Sequence, residues 1–79
     1  MNTTRRQWAK TMKKERESRG FDLYTAAYRL GIDWLTLRKI EDGLIKLKPE
    51  LLIRALAEYE ASIFTRQKAA RWAKTQTQY

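Results

Sequence analysis

The chain has 79 residues and a formal net charge of +8, from 17 Lys and Arg against 9 Asp and Glu. It contains neither cysteine nor histidine, which excludes disulfides, thiolate metal sites and the usual general base. We therefore expect one domain, residues 1–79, that is not an enzyme and holds no metal or cofactor. No apolar run approaches the roughly 18–20 residues of a membrane span, and no signal-peptide core is present, so we expect a soluble cytoplasmic protein.

The basic residues are concentrated towards the two ends of the chain. Residues 1–14 carry five Lys and Arg and 61–79 carry four, with no acidic residue in either segment, whereas 15–60 is nearly neutral. This distribution suits a polyanion, because each neutralised phosphate releases counterions. Nucleic acid and an anionic membrane surface both satisfy the argument, and so does simple solvation of both ends. The basic ends lack the continuous apolar face of interfacial helices, which disfavours the membrane.

Helix signals divide the chain into five segments. Glycines suited to the left-handed conformation that ends helices separate the first four: Gly20, Gly31 and Gly43. Residues that begin helices follow the turns: Asp22, Asp33, Pro49 and Ser62. We predict helices over about 4–19, 23–30 and 34–42, a fourth from Pro49 and a fifth over about 63–74, with a frayed end at 75–79.

Apolar residues recur at helical spacing in every segment, and no stretch alternates with the period of a β-strand. The predicted buried faces of the first four helices comprise Trp8, Met12, Ala26, Ala27, Leu30, Leu37, Ile40, Leu52, Ile53, Leu56 and Tyr59, and the fifth helix carries the apolar residues Ile63, Phe64, Ala69, Ala70 and Trp72. The fold class predicted from this pattern is all-α, a compact five-helix bundle.

The stretch 21–43, FDLYTAAYRLGIDWLTLRKIEDG, predicts two short helices joined by a tight turn at Gly31. Its spacing resembles the Cro and phage-repressor (XRE) family of helix-turn-helix regulators at Ala27, Leu30-Gly31-Ile32, Thr36-Leu37 and Ile40-Glu41-x-Gly43. The resemblance covers roughly residues 8–60. It implies a lambda-repressor-like fold with the motif at about 22–43, the helix from Trp34 lying in the DNA major groove, and a structural ion pair between Arg16 and Glu41.

Three features depart from the family pattern. Leu23 stands where members often have a glutamine that contacts the DNA backbone, Glu15 stands where an apolar residue is usual, and Pro49 comes a residue late. None of these departures is incompatible with the fold.

The resemblance assigns base contacts to the outward side of the helix that begins at Trp34. These residues are Trp34, Leu35, Thr36, Arg38 and Lys39. Arg38 or Lys39 can bond a guanine edge, whereas Leu35 can contact only apolar groups such as thymine methyls. Trp34 is open to two interpretations, a groove contact or packing against the preceding helix, and Asp33 is expected to be a cap.

Phosphate contacts are assigned by position and charge to the loop after Gly43 and to the first helix, and by its place in the family pattern to Leu23 at the start of the second helix. The assigned residues are Leu23, Lys46, Lys48, Arg5, Arg6 and Lys10. For the charged members, the alternative is an ordinary solvated side chain.

The terminal helix has two interpretations as well. Its apolar residues either close the core of this chain or form a two-fold dimer contact. We expect the helix to have a split role, in which Phe64 is internal and Trp72 is intermolecular. The segment that carries this pair, Phe64 and Trp72, is assigned to the dimer interface. The basic side of the helix either touches DNA flanks or stays solvated: Arg66, Lys68, Arg71 and Lys74.

The sequence thus predicts a transcriptional regulator, a repressor that binds a two-fold operator in double-stranded DNA as a homodimer. The alternative is a protein-interaction module on the same scaffold, antitoxin-like or polymerase-associated, that binds a protein partner through Trp34 and Leu35. A third possibility is architectural or RNA binding through charge alone.

Overall fold

The computed structural model describes residues 3–77, which form five α-helices and, within that range, no β-strand. The helices are α1 (Arg5–Ser18), α2 (Leu23–Leu30), α3 (Trp34–Glu41), α4 (Pro49–Glu58) and α5 (Ile63–Thr77). The radius of gyration of 11.7 Å matches the roughly 12 Å that a compact domain of this length has. The predicted all-helical, compact architecture is confirmed. Within residues 3–77, no helix combines the length and apolar character needed to cross a bilayer.

Local side-chain bonds explain where the helices begin. The Asp22 carboxylate accepts a 2.7 Å hydrogen bond from the Thr25 amide, and Asp33 accepts one of 3.1 Å from the Leu35 amide. The bond from Thr25 lowers the pKa of Asp22, because it stabilises the ionised carboxylate. Pro49 occupies the first turn of α4, where its missing N–H costs nothing.

The predicted helix boundaries agree within one residue except at the end of the chain. Residues 75–77 were expected to fray, but α5 continues to Thr77, and positions 78–79 lie outside the described residues. The last turns of α5 are held by side chains. Trp72 packs against the core, and the Oε1 atom of Gln76 accepts a 3.1 Å hydrogen bond from Arg5.

The core lies where α4 packs against α1, α2 and α5, and where α3 packs against α1 and α2. Its largest fully buried side chains are Tyr59, Met12, Leu30, Leu37, Leu47, Leu52 and Leu56. Small residues allow the helices to approach closely: Ala26, Ala27, Ala55 and Ala69 are all buried. Ile53 and Phe64 were predicted to be buried but are exposed in the structure, as are Ile63 and Ala70 of α5. Each lies away from the side of its helix that faces the other helices.

Arg16 and Glu41 form the ion pair that the family resemblance implies, and they join α1 to the last residue of α3. The guanidinium is bidentate, with Nε 2.8 Å from Oε2 and Nη2 3.0 Å from Oε1 of Glu41. Its Nη1 donates to the Phe21 carbonyl at 2.8 Å, just before α2. Both side chains are buried, with 7% and 1% of their surface exposed. The hydrogen bonds to Glu41 raise the pKa of Arg16.

Replacing Glu41 by Gln is expected to lower the free energy of unfolding by about 3–5 kcal/mol, because it leaves the buried charge of Arg16 uncompensated. Chemical denaturation of the two proteins measures this difference. The matched control is Asp42→Asn, which removes the solvent-exposed partner of Arg38 at 3.9 Å and should change stability by less than about 1 kcal/mol. Equal effects of the two substitutions would contradict the buried pair's structural role.

Candidate nucleic-acid interface

Helices α2 and α3 are joined by residues 31–33, and each of these three positions has a defined role. Gly31 ends α2 in the left-handed conformation, with φ of 71°. The Ile32 amide donates to the Ala27 carbonyl at 3.0 Å, and Asp33 caps α3. These bonds fix the direction in which α3 leaves the turn.

One side of α3 is buried and the other faces solvent. Leu37, Ile40 and Glu41 are each at most 5% exposed, and they hold the helix against α1 and α2. The opposite side carries Leu35, Arg38 and Lys39, all exposed. These three belong to the predicted base-contact set, and we call them the outer face of α3. Thr36, the fourth member of the set, is half-buried at the edge of this face.

Arg38 and Lys39 are the charged groups of the outer face. The Arg38 guanidinium lies 3.9 Å from the Asp42 carboxylate, and both side chains are largely in water, at 62% and 45% exposure. Such a pair contributes little to stability, so Arg38 can exchange Asp42 for another acceptor at low cost.

Trp34, the remaining predicted base contact, is half-buried and packs against the core. Its ring centroid lies 5.0 Å from that of Tyr24 on α2, with the planes tilted by 45°. The structure therefore favours the interpretation in which Trp34 packs against the preceding helix. Tyr24 and Tyr28, 63% and 87% exposed, extend this aromatic surface and were missed from the sequence. Their four-residue spacing on one side of α2 was the signal that could have identified them.

Two predicted phosphate contacts lie in the loop between α3 and α4. Lys46 and Lys48 are exposed, while Leu47 between them is only 1% exposed and belongs to the core. Together with Thr36 and Ile40 of α3, the two lysines line a groove of about 450 Å³. The groove places them directly beside α3.

The first helix contributes two more exposed cations, Arg6 and Lys10. Arg6 approaches the end of α3, since its Nε would lie 3.9 Å from a Cβ atom built on Gly43. Lys10 lies one helical turn beyond Arg6 on the same side of α1. Arg6 and the loop lysines therefore flank α3.

Arg5 and Leu23 do not take the predicted roles. Arg5 is bonded within the protein: its Nε donates to the Leu47 carbonyl at 2.9 Å, and its guanidinium lies 5.5 Å from the Trp72 ring centroid. Leu23 packs its side chain against the core and has no polar group to offer a phosphate. Arg5 was assigned from its position and charge and Leu23 from its place in the family pattern, and neither shows which way a side chain points.

The expected burial of Phe64 and Trp72 is reversed. Phe64, expected inside, is 75% exposed. Trp72, expected between subunits, packs on the core of its own chain with its ring centroid 6.3 Å from that of Trp8. The reason is the orientation of α5, which buries Ala69 and Ala73. At 100° per residue, Trp72 falls beside these alanines and Phe64 on the opposite side.

No protein family, curated protein or solved structure matches this chain. What the surface binds must therefore be inferred from its own residues. Three exposed side chains that flank the outer face of α3, those of Arg6, Lys46 and Lys48, are cationic. This arrangement favours a polyanionic ligand.

Replacing Gly31 by Ala is expected to lower the free energy of unfolding by about 1–2 kcal/mol, since an L-residue is strained at this positive φ. No heavy atom lies within 4 Å of the added Cβ, so the cost should come from the backbone alone. Gly31→Asn is the control and should cost less, because asparagine tolerates the left-handed region. Thermal or chemical unfolding measures both variants. An alanine variant as stable as wild type would contradict the left-handed conformation of residue 31.

Proposed function

We propose that this chain is a cytoplasmic, sequence-specific DNA-binding transcriptional regulator of the helix-turn-helix type, a repressor that binds a two-fold operator as a dimer. The observation that carries the proposal is the α2–turn–α3 unit. Its second helix is held by buried Leu37 and Ile40 and turns Arg38 and Lys39 to solvent. A helix with such a face fits the major groove, which is about 12 Å wide.

The outer face of α3 would read base edges. Arg38 and Lys39 suit the two acceptors of a guanine, and the exposed side chain of Leu35 suits a thymine methyl group. Trp34, held by Tyr24, would form a wall of the interface rather than bond a base. An operator half-site of mixed guanine and thymine content follows from this assignment.

The flanking cations would bind the phosphate backbone. Lys46 and Lys48 lie on one side of α3, and Arg6 with Lys10 supplies charge from α1. Such contacts position the protein without reading the sequence. Each phosphate that is neutralised makes the affinity fall more steeply with salt.

A dimer would place two α3 helices in successive major grooves, with half-sites about 34 Å apart. The first turn of α5 supports a dimer contact, because Ile63 and Phe64 are 68% and 75% exposed. Exposed apolar side chains of this size favour association with another surface. Phe64 thus remains in the proposed dimer interface, whereas Trp72 is used within the chain.

The test is selection of bound duplexes from a random pool, followed by affinity measurements on the selected site. We expect an inverted repeat. Arg38→Gln should cost about 1–3 kcal/mol of binding free energy and relax selection at one position in each half-site. Lys46→Gln, the matched control, should weaken binding to all sequences alike and reduce the salt dependence. Failure to enrich any sequence, together with loss of binding at moderate salt, would refute specific recognition.

A second candidate function is supported by the apolar surface that the aromatic side chains of Tyr24, Tyr28 and Trp34 form together with Leu35. A protein-interaction module, antitoxin-like or polymerase-associated, would use this surface as its central contact, since exposed aromatic clusters dominate protein interfaces. A purely polar DNA-binding surface has no need of Tyr28 at 87% exposure.

Combined replacement of Tyr28 and Leu35 by Ala separates the two functions. Both side chains are exposed, so the fold should be retained. The DNA-binding proposal expects the double variant to keep most of its operator affinity, with weaker selection only where Leu35 contacts a base. If the chain is an interaction module, its affinity for a toxin or for RNA polymerase should fall by at least tenfold, or about 1.4 kcal/mol. The change in DNA affinity carries no expectation in that case. Fluorescence anisotropy with labelled DNA and with labelled protein partner measures both.

A further inference from the structure

Two adjacent arginines, Arg5 and Arg6, open α1, and only Arg6 points its charge outward. Arg6 is exposed, whereas Arg5 is half-buried. The Arg5 guanidinium donates through Nε to the Leu47 carbonyl at 2.9 Å and through Nη2 to the Gln76 side chain at 3.1 Å. It thus joins three parts of the chain that are remote in sequence: the start of α1, the α3–α4 loop and the end of α5.

The carbonyl that Arg5 binds lies between the two loop lysines. The loop is already fastened at its other end, because the Leu44 and Ile45 amides donate to the Lys39 carbonyl at 2.8 Å and 3.2 Å. Leu47 itself is 1% exposed. The Arg5 bond therefore fixes the backbone of the second half of the loop, from which the side chains of Lys46 and Lys48 extend.

Arg5 is in turn held from the side of α5. Its guanidinium lies over the Trp72 ring at 5.5 Å from the centroid, and Trp72 packs beside buried Trp8 at 6.3 Å. The Gln76 contact lies one turn further along α5. A planar guanidinium can donate both hydrogen bonds and stack on the indole ring at the same time. A lysine ammonium cannot, because it is not planar and does not hold several N–H donors in one fixed plane.

We propose that Arg5 is a positioning residue for DNA binding: it holds Lys46 and Lys48 beside α3 and makes their placement depend on the last turns of α5. This inference rests on the proposed function. Arg5 itself contacts no phosphate. Holding the loop before DNA arrives reduces the ordering needed on binding, so the affinity gained comes from preorganisation.

The first experiment tests whether the contacts of Arg5 hold the α3–α4 loop in the free protein, without DNA. We call this set of contacts, from Arg5 to Leu47, Gln76 and Trp72, the clamp. Hydrogen–deuterium exchange is followed for the segment 43–49 in wild type, Arg5→Gln and Gln76→Ala. Both variants should exchange at least threefold faster there and should leave α2 unchanged. Lys14→Gln, the charge-matched control on the exposed surface of α1, should behave as wild type. Exchange at 43–49 that is unchanged in both variants would overturn the clamp.

The second experiment uses the selected operator and separates positioning from direct contact. Arg5→Lys keeps the charge but loses the fork, so it should weaken binding as much as Arg5→Gln, by about tenfold. Arg6→Lys should keep nearly full affinity. If Arg5→Lys binds as wild type and only Arg5→Gln is weak, Arg5 is a phosphate contact and the proposal is wrong.

A double-mutant cycle gives an independent test. In a Lys46→Ala, Lys48→Ala background, Arg5→Gln should have little further effect, because the groups it positions are gone. Arg6→Gln, as a direct contact, should add its full effect in the same background. Additive losses for Arg5 would overturn the positioning role. Should Arg5→Gln unfold, Gln76→Ala replaces it in the cycle.

Failure of this inference and failure of the proposed function are distinguishable. Absence of any selected operator for the wild type rejects the proposed function, while the exchange experiment on free protein still tests the clamp. A selected operator with unchanged exchange at 43–49 in the variants rejects the clamp and leaves the proposed function intact.

Discussion

The buried ion pair between Arg16 and Glu41 is the interaction on which the other contacts of the α2–α3 region depend. It joins residues 25 positions apart and, through Nη1, also holds the Phe21 carbonyl just before α2. One guanidinium thereby relates α1, the start of α2 and the end of α3. A buried charge tolerates few alternative arrangements, because any shift that breaks the pair leaves it unsolvated. The outward direction of α3 is a consequence of this constraint together with buried Leu37 and Ile40.

The two arginines of the first turn of α1 have the same side chain in different surroundings. Arg6 faces solvent near the end of α3, whereas Arg5 is enclosed by a carbonyl, an amide side chain and an indole ring. The basic character of residues 1–14 is therefore only partly available to a polyanion. Part of it holds the loop that carries Lys46 and Lys48. The number of basic residues in this segment therefore exceeds the number of cations that are free to contact a polyanion.

The aromatic residues are divided in a similar way. Trp8 and Trp72 close the core between α1 and α5, and Trp34 leans on Tyr24 at the surface. Two of the places where large apolar side chains are exposed are the α2–α3 surface and the first turn of α5, and Leu44, Ile45 and Ile53 are exposed elsewhere. The first place adjoins the proposed DNA-binding face, and the second is the proposed subunit contact. The proposed function thus assigns separate surfaces of this one domain to a nucleic acid and to another copy of the chain.

The sequence alone predicted the five helices and the caps at Asp22 and Asp33, because capping bonds join residues at most three positions apart. It also predicted which side of α3 is buried, since helical periodicity acts within one element. The tertiary structure decided whether Arg5, Trp34, Phe64 and Trp72 are exposed or packed within the chain. Arg5 bonds residues 42 and 71 positions away, and the rotation of α5 about its own axis is set by packing against α4 and α1. No local pattern encodes which side of a helix meets a distant partner.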